Sequence, residues 1–369
     1  MNYIYIDTKI LGAVRQLIGY FVSGVFNIEQ TVVYFKKYKH SWKKFQHLFS
    51  DANITATAFE RYSEIKMQSG GIVFYLFNAQ SNCRMVANRE LLHVFVTHGE
   101  SSKIASVKPI IRIYDYVVTA GEAGKQRYVE HKIFTPYDIK QGRLISMGDT
   151  FIGSTGLATQ TANDVEKVIL YAPTWEGGVP DENYSSLSYK ETVGRSIRQL
   201  AEQLNISKVL IKPHPNIGHR LPVYKNHLFE LIASLQEWNL TPILFERGAE
   251  WGFFDRIKIK RLKCQTTCSL TKFAALYGFC DISAIETQLL NEEIPYYQFC
   301  ANAQHTWREA HHKHVIILLN NDDQADLVVR DKSYFHDLKT YLISETFDCI
   351  PMDKRLSILK KMIQHSAES

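Results

Sequence analysis

Apolar residues in this chain come in short unbroken runs, separated by stretches that repeat with helical period. Such runs are the signature of strands covered on both faces, as in a parallel sheet with helices above and below. In the first half the runs are Gly71–Phe77, Leu92–Thr97, Tyr114–Thr119 and Arg143–Gly148. They predict four strands, with a helix over Asn78–Glu90 and another, carrying Lys125, Arg127 and Tyr128, after Ala120-Gly121-Glu122-Ala123-Gly124. Residues 1–50 read as helical. Within them, Ile10–Phe26 is fairly apolar but carries Arg15, Gln16 and three glycines, and is too short to span a bilayer. A packed or interfacial helix is the expectation there. Gly153–Asn163 is small and polar, a domain boundary by composition.

The rhythm then restarts, with strands predicted at Val168–Tyr171, Lys208–Ile211, Pro242–Glu246, Ile294–Phe299 and His314–Leu319. Tyr189–Leu204 predicts an amphipathic helix, since Val193, Ile197, Leu200 and Leu204 share one face. A short helix is expected over Leu270–Phe279, and two amphipathic helices, Ser333–Ser344 and Met352–His365, close the chain. The class is α/β. Its domains are 1–152 with a helical N-terminus, a linker at 153–167, a second domain at 168–330 and C-terminal helices at 331–369.

Composition narrows the picture. A chain of 369 residues exceeds what one core spans, so two domains are the prior. Its 43 Lys+Arg against 38 Asp+Glu leave +5, compatible with anionic substrates or a lipid surface and too weak to argue for nucleic acid. The six cysteines form no even framework, and Cys264-x3-Cys268 has no matching His or Cys pair, so reduced thiols in a cytoplasmic protein are expected rather than zinc or another metal. No secretory leader pattern opens the sequence. Lys36–Lys44 packs five lysines among Tyr38 and Trp42. That stretch suits either the headgroup layer of an anionic membrane or a solvated helix face.

Candidate chemistry sits where strands stop. Lys208–Ile211 ends in Lys212-Pro213-His214-Pro215. Each proline drives the residue before it into extended geometry, holding Lys212 and His214 beyond the carboxyl end of the strand. In open α/β sheets ligands bind at that edge, and a cation beside an imidazole suits a phosphate. His98, at the end of its own strand, precedes Gly99, Glu100, Ser101, Ser102 and Lys103, and is placed to serve as a general base. Asp281 closes an element, and Ser283 with Glu286 three residues on reads as a capping box whose amides would attract a phosphate.

Four motifs together resemble one family. Tyr171-Ala172-Pro173-Thr174-Trp175, Lys212-Pro213-His214-Pro215, His98-Gly99 and Asp281-x-Ser283 are similar, in order and interval, to motifs of the CDP-glycerol:poly(glycerophosphate) glycerophosphotransferases. These are the teichoic-acid primases and polymerases and their Gram-negative capsule relatives. The resemblance implies a GT-B fold, two Rossmann-like domains facing across a cleft. It implies His98 as base on the acceptor hydroxyl, and His214 at the donor pyrophosphate. Thr174, Trp175, Lys212, Asp281, Ser283, Ala284 and Glu286 would form the donor side, and Gly99, Glu100, Ser101 and Lys103 the acceptor side. The donor would be CDP-glycerol, the acceptor a lipid-linked glycan such as a Kdo-terminated primer, and no resident cofactor or metal is implied. The chain departs from the family in His98-Gly99-Glu100-Ser101-Ser102-Lys103, where H-G-T-P-x-K is usual, and in Ala284, where a second serine is usual. Two alternatives stay open: a GT-B glycosyltransferase using CMP-Kdo, CMP-sialate or a UDP-sugar, and a catalytically dead GT-B binding subunit. The expected location is cytoplasmic, peripheral on the inner face of the plasma membrane.

Overall fold

The computed structural model describes residues 1–97, 100–301, 315–320 and 327–368. It forms two compact units, one of Met1–Glu100, Ser106–Gly153 and Thr340–Ser369, the other of Ser101–Ala105 and Ser154–Lys339. In the first, strands β1 (Asn2–Ile6), β2 (Thr31–Lys36), β3 (Ala56–Phe59), β4 (Ile72–Tyr75), β5 (Leu92–Phe95), β6 (Tyr116–Thr119) and β7 (Leu144–Ser146) lie in the order β3-β2-β1-β4-β5-β6-β7. The second holds β8 (Glu166–Ala172), β9 (Lys208–Ile211), β10 (Thr241–Phe245), β11 (Gln265–Thr267), β12 (Phe273–Asp281), β13 (Tyr296–Cys300) and β14 (Ile316–Leu318), ordered β11-β10-β9-β8-β12-β13-β14.

Strand pairs in both sheets are parallel. Parallel neighbours require crossover connections that cover both faces, which is why the central strands are continuous apolar runs. Each sheet reverses its winding once, between β1 and β4 and between β8 and β12. That is the doubly wound, Rossmann-like topology, and both Rossmann-like domains of the expected GT-B class are present.

Several sequence expectations are corrected. Residues 1–50 are not all helical: helices Leu11–Val22 and Trp42–Asp51 alternate with β1 and β2. The five residues of β1 are all buried, and their tyrosines pack on Phe59, Tyr75 and Tyr34. Lys36–Lys44 is therefore no single helix face, because Lys36 ends β2 and Trp42 begins the next helix. Asn78–Glu90 contains only a 3-10 turn, Gln80–Asn82, and a four-residue helix, Cys83–Val86. Leu270–Phe279, expected as a helix, is instead a turn running into the long strand β12, which takes up its residues from Phe273 on. Its alanines favour helix locally, but the segment lies buried between β8 and β13, and that context overrides propensity.

The end of the chain returns to the first unit. Helix Met352–Glu368 brings Leu356, Leu359 and Ile363 into the same core as Ile4, Phe74 and Val118. Tyr116 donates to the Ile363 carbonyl at 3.2 Å, and the Ser344 amide to the Ala120 carbonyl at 2.9 Å. Buried Arg355 pairs with Asp149 and donates to the carbonyls of Ile350 (2.8 Å) and Phe347 (2.7 Å). Gly148, at φ +58°, leaves room for this return: a Cβ there would lie 2.6 Å from the Ser344 carbonyl oxygen. Among the described residues no helix is long and apolar enough to cross a membrane.

Candidate active site at the carboxyl edge of the second sheet

β8 and β12 flank the point where the second sheet reverses direction, so the loops leaving them form a crevice by topology alone. Thr174 and Trp175 leave β8, Lys212 and His214 leave the adjacent β9, Asp281 ends β12 and Ser283 lies just beyond it. The structure thus brings most of the sequence-predicted donor side to one sheet edge. Residues Ser101–Ala105 belong to this unit as well. Lys103, expected on the acceptor side, donates to Thr174 Oγ1 at 2.7 Å and lies 5.6 Å from the centre of the Tyr184 ring. The Ile104 amide donates to the Tyr184 hydroxyl at 3.1 Å, fastening the segment there.

Beneath these residues lies a buried polar chain. Asp281 is fully buried and accepts the Thr174 amide at 2.7 Å through Oδ2. Burial lifts its pKa to about 7, opposed by hydrogen bonding from Ser186 and Thr174 and by the charge of Lys103. Burial likewise lowers the Lys103 ammonium to about 8, with Asp281 and Glu182 working the other way. Tyr171, fully buried, meets Ser186 Oγ at 2.8 Å, and burial raises its phenol well above the ordinary value. A titratable acid and a titratable base are thereby linked through one threonine.

His214 is set by its own loop. Its amide donates to the Pro173 carbonyl at 3.1 Å, and its Nδ1 accepts the Asn216 amide at 3.1 Å. Acceptance at Nδ1 selects the tautomer that carries the proton on Nε2. The imidazole stacks on Trp175, with centroids 5.9 Å apart and planes 14° from parallel. Lys212 faces elsewhere: its Nζ donates to the Thr155 carbonyl at 2.7 Å, while Glu292 accepts from the Thr155 amide and from Ser154 Oγ, each at 2.7 Å. Burial lowers the Lys212 ammonium to about 8. This cation fastens the segment following Gly153.

Other expectations fare differently. The capping box at Ser283 does not form: Ala284 is the N-cap of helix Ile285–Asn291 with no side-chain cap, and Ser283 Oγ donates to the Asp281 carbonyl at 3.2 Å. A helix of barely two turns with its serine turned back leaves the phosphate reading without that support. Buried Glu286 accepts the Tyr296 hydroxyl at 3.0 Å. Glu100 lies in the first unit, buried against Arg127 and accepting the Ala120 amide at 3.0 Å, an anchor beneath the loop rather than a surface group. Ser101 is buried, and its hydroxyl accepts the Lys103 amide at 3.2 Å. His98 and Gly99 lie outside the described residues. Thr97 just before them has φ +61°, a left-handed conformation that a β-branched residue adopts only under constraint. Among the described residues no group of three or more His, Cys, Asp and Glu is placed to hold a metal ion.

Sequence reasoning missed Glu176. Fully buried, it accepts the amides of Gly218 (3.0 Å), Arg220 (2.8 Å) and Leu221 (2.9 Å), and so pins the loop after His214 to the loop after β8. Gly177 follows at φ +71°, where a Cβ would meet the Glu182 carbonyl oxygen at 2.4 Å. An acid directly preceding a glycine in a loop that leaves a buried strand was the available signal.

No family model matches the chain, and no curated protein matches it. Solved structures do. Anabaena Alr3699/HepE in complex with UDP aligns over 100% of this chain and 99% of its own, at 9% identity and TM-score 0.49. A glycosyltransferase from Rickettsia africae aligns over 98% of both chains at 12% identity and TM-score 0.49. The wall teichoic acid polymerase TagF aligns over 100% of this chain and 89% of its own, at 11% identity and TM-score 0.42. At such identities nothing of their activities passes to this chain, and its assignment to two Rossmann-like units stands on its own strand order.

Proposed function

We propose that the protein transfers glycerol phosphate from CDP-glycerol to a hydroxyl of a lipid-linked saccharide primer, releasing CMP, in the assembly of a capsule or teichoic-acid-like polymer. One observation carries the reading: Lys103, Thr174, Trp175, His214 and Asp281, drawn from four separate stretches of sequence, meet at the reversal point of the second sheet. The resemblance of their motifs supplies the donor class.

In this reading the acceptor oxygen attacks the glycerol-bearing phosphorus in line. An O–P bond forms, the bond from that phosphorus to the bridging oxygen breaks, and CMP leaves with the electron pair. The acceptor proton passes to His98. Charge grows on the phosphoryl and leaving oxygens, so fixed donors give most of the acceleration. Lys103 is the cation best placed for this, and the His214 ring presents Nε2–H as a donor. No resident cofactor is invoked, and the protein works at the inner face of the membrane as a peripheral enzyme.

The test is incubation of the purified chain with CDP-glycerol and synthetic lipid-linked or Kdo-terminated primers, read by mass spectrometry. The expected product is heavier by one or more glycerol-phosphate units, with equimolar CMP. CMP release from CMP-Kdo or CMP-sialate, or UDP release from a UDP-sugar, in place of CDP-glycerol turnover would overturn the donor assignment. His214→Ala and Lys103→Met should each lower kcat by about 10²-fold or more.

A further inference from the structure

Helix Phe253–Arg261 follows β10 and opens with two phenylalanines that the fold leaves in solvent, Phe253 at 74% and Phe254 at 77% exposure. Their rings touch edge to face, 5.7 Å apart. Exposed aromatics of this extent have no packing role, and an adjacent pair marks an interaction surface. The inward face of the same helix is accounted for: Ile259 is buried, and Asp255 takes Lys225 at 2.9 Å and the Gly252 amide at 2.9 Å. At helical spacing Phe253 shares its outer face with Arg256 and Lys260, and Phe254 with Arg261. Arg247 and Lys263 flank the helix, and all five cations are exposed. The exposed acid of this stretch is Glu250, since Asp255 is already engaged.

We infer that this surface docks the second unit on an anionic phospholipid bilayer, Phe253 and Phe254 entering the headgroup–acyl boundary and the surrounding arginines and lysines meeting lipid phosphates. Protruding apolar rings ringed by cations are complementary to such a surface and to little else in water. The lysine-rich stretch 36–44, which the sequence marks first, is less suited. Tyr38 and Trp42 are half-buried, and Tyr38 is bound through its hydroxyl to Asp7. Lys37 pairs with Glu60 at 3.3 Å, and Lys37 and Lys43 lie over the Trp42 ring. Trp42 is covered by the stretch's own lysines and Tyr38 by Lys9, whereas the rings of 253–254 stand clear.

The proposal rests on the lipid-linked acceptor only for its purpose. It is tested without donor, so failure of transfer and failure of docking are told apart. The full chain is co-sedimented with phosphatidylcholine vesicles and with vesicles of phosphatidylcholine and phosphatidylglycerol. Wild type should bind the anionic vesicles alone. Phe253→Ser/Phe254→Ser and Lys260→Glu/Arg261→Glu should each weaken that binding about tenfold, with thermal unfolding unchanged, while Lys43→Glu/Lys44→Glu alters it less than about twofold. Wild-type binding by the double serine variant overturns the proposal. So does a fall in its sedimentation mass to half with vesicle binding intact, which would make the surface a contact between copies of the chain.

Discussion

Lys103 and Asp281 carry pKa displacements in opposite directions, and the signs can be followed. Asp281 holds its proton up to about 7 in the fold but releases it near 3.8 when unfolded. Its contribution is present below pH 3.8 and is lost as pH rises towards 7, because the native state binds more protons across that window. Lys103 and Lys212 lose protons near 8 when folded and near 10.5 when unfolded, so their penalty is relieved as pH climbs between those values. The predicted profile of unfolding free energy, measured by urea titration, declines from pH 4 to 7 and recovers above 8. Asp281→Asn should flatten the acid limb and leave the alkaline one. Glu176→Gln is expected to cost about 1–3 kcal/mol, since an uncharged amide oxygen replaces an acceptor that three backbone amides share.

At this scale the sequence was informative where a strand stops against proline or small residues. Thr174, Trp175 and His214 could be named because the chain leaves β8 and β9 at Pro173 and Pro213, and the structure gathers them. Lys212 was equally visible, but its partner, the Thr155 carbonyl, belongs to a distant segment that no local pattern reveals. Glu176's role was hidden for the same reason, the amides that donate to it belonging to another loop.

Among the elements, helix Lys190–Leu204 shows how packing outweighs propensity. Gly194 sits within it, where a Cβ would come within 2.9 Å of the Trp238 ring and 3.3 Å of Leu231. Replacing a mid-helix glycine by alanine normally gains up to about 1 kcal/mol, while overpacking costs about 1–3 kcal/mol. Gly194→Val, bulkier and a weaker helix former, is predicted to destabilise by about 2–3 kcal/mol in chemical denaturation. This helix was legible from Val193, Ile197 and Leu200, all buried as their spacing requires, and it ends where Asn205 turns left-handed at φ 53°. Strands β1, β2 and β12 were not, because their tyrosines, lysine and alanines carry no alternation. Only the neighbouring strands on either side make such segments extended.

For the whole molecule, the segment after Gly153 is held by Lys212 and Glu292 at its start, and by the Ala158 amide and Gln160 side chain on carbonyls of β12 further on, rather than by a core of its own. Lys212→Met together with Glu292→Ala should expose residues 154–157 to limited proteolysis at least about tenfold faster, the first cut yielding fragments that run from the chain's start to this segment and from it to the chain's end. The two-unit plan was readable from the doubled strand rhythm. The return of Thr340–Ser369 to the first unit was not. Amphipathic helices declare that one face is covered, without saying by what.

That return sets an order of events during synthesis. Most of the first unit precedes the second in the chain, yet Leu356, Leu359, Ile363 and Arg355 reach it only after the second unit has been synthesised. The second unit, complete by Lys339, is free to mature while its elder sibling still awaits its final helix. Ribosome-stalled chains cut off at residue 339 should therefore protect 166–300 from protease while leaving 1–153 digestible, a vulnerability that chaperones would have to cover.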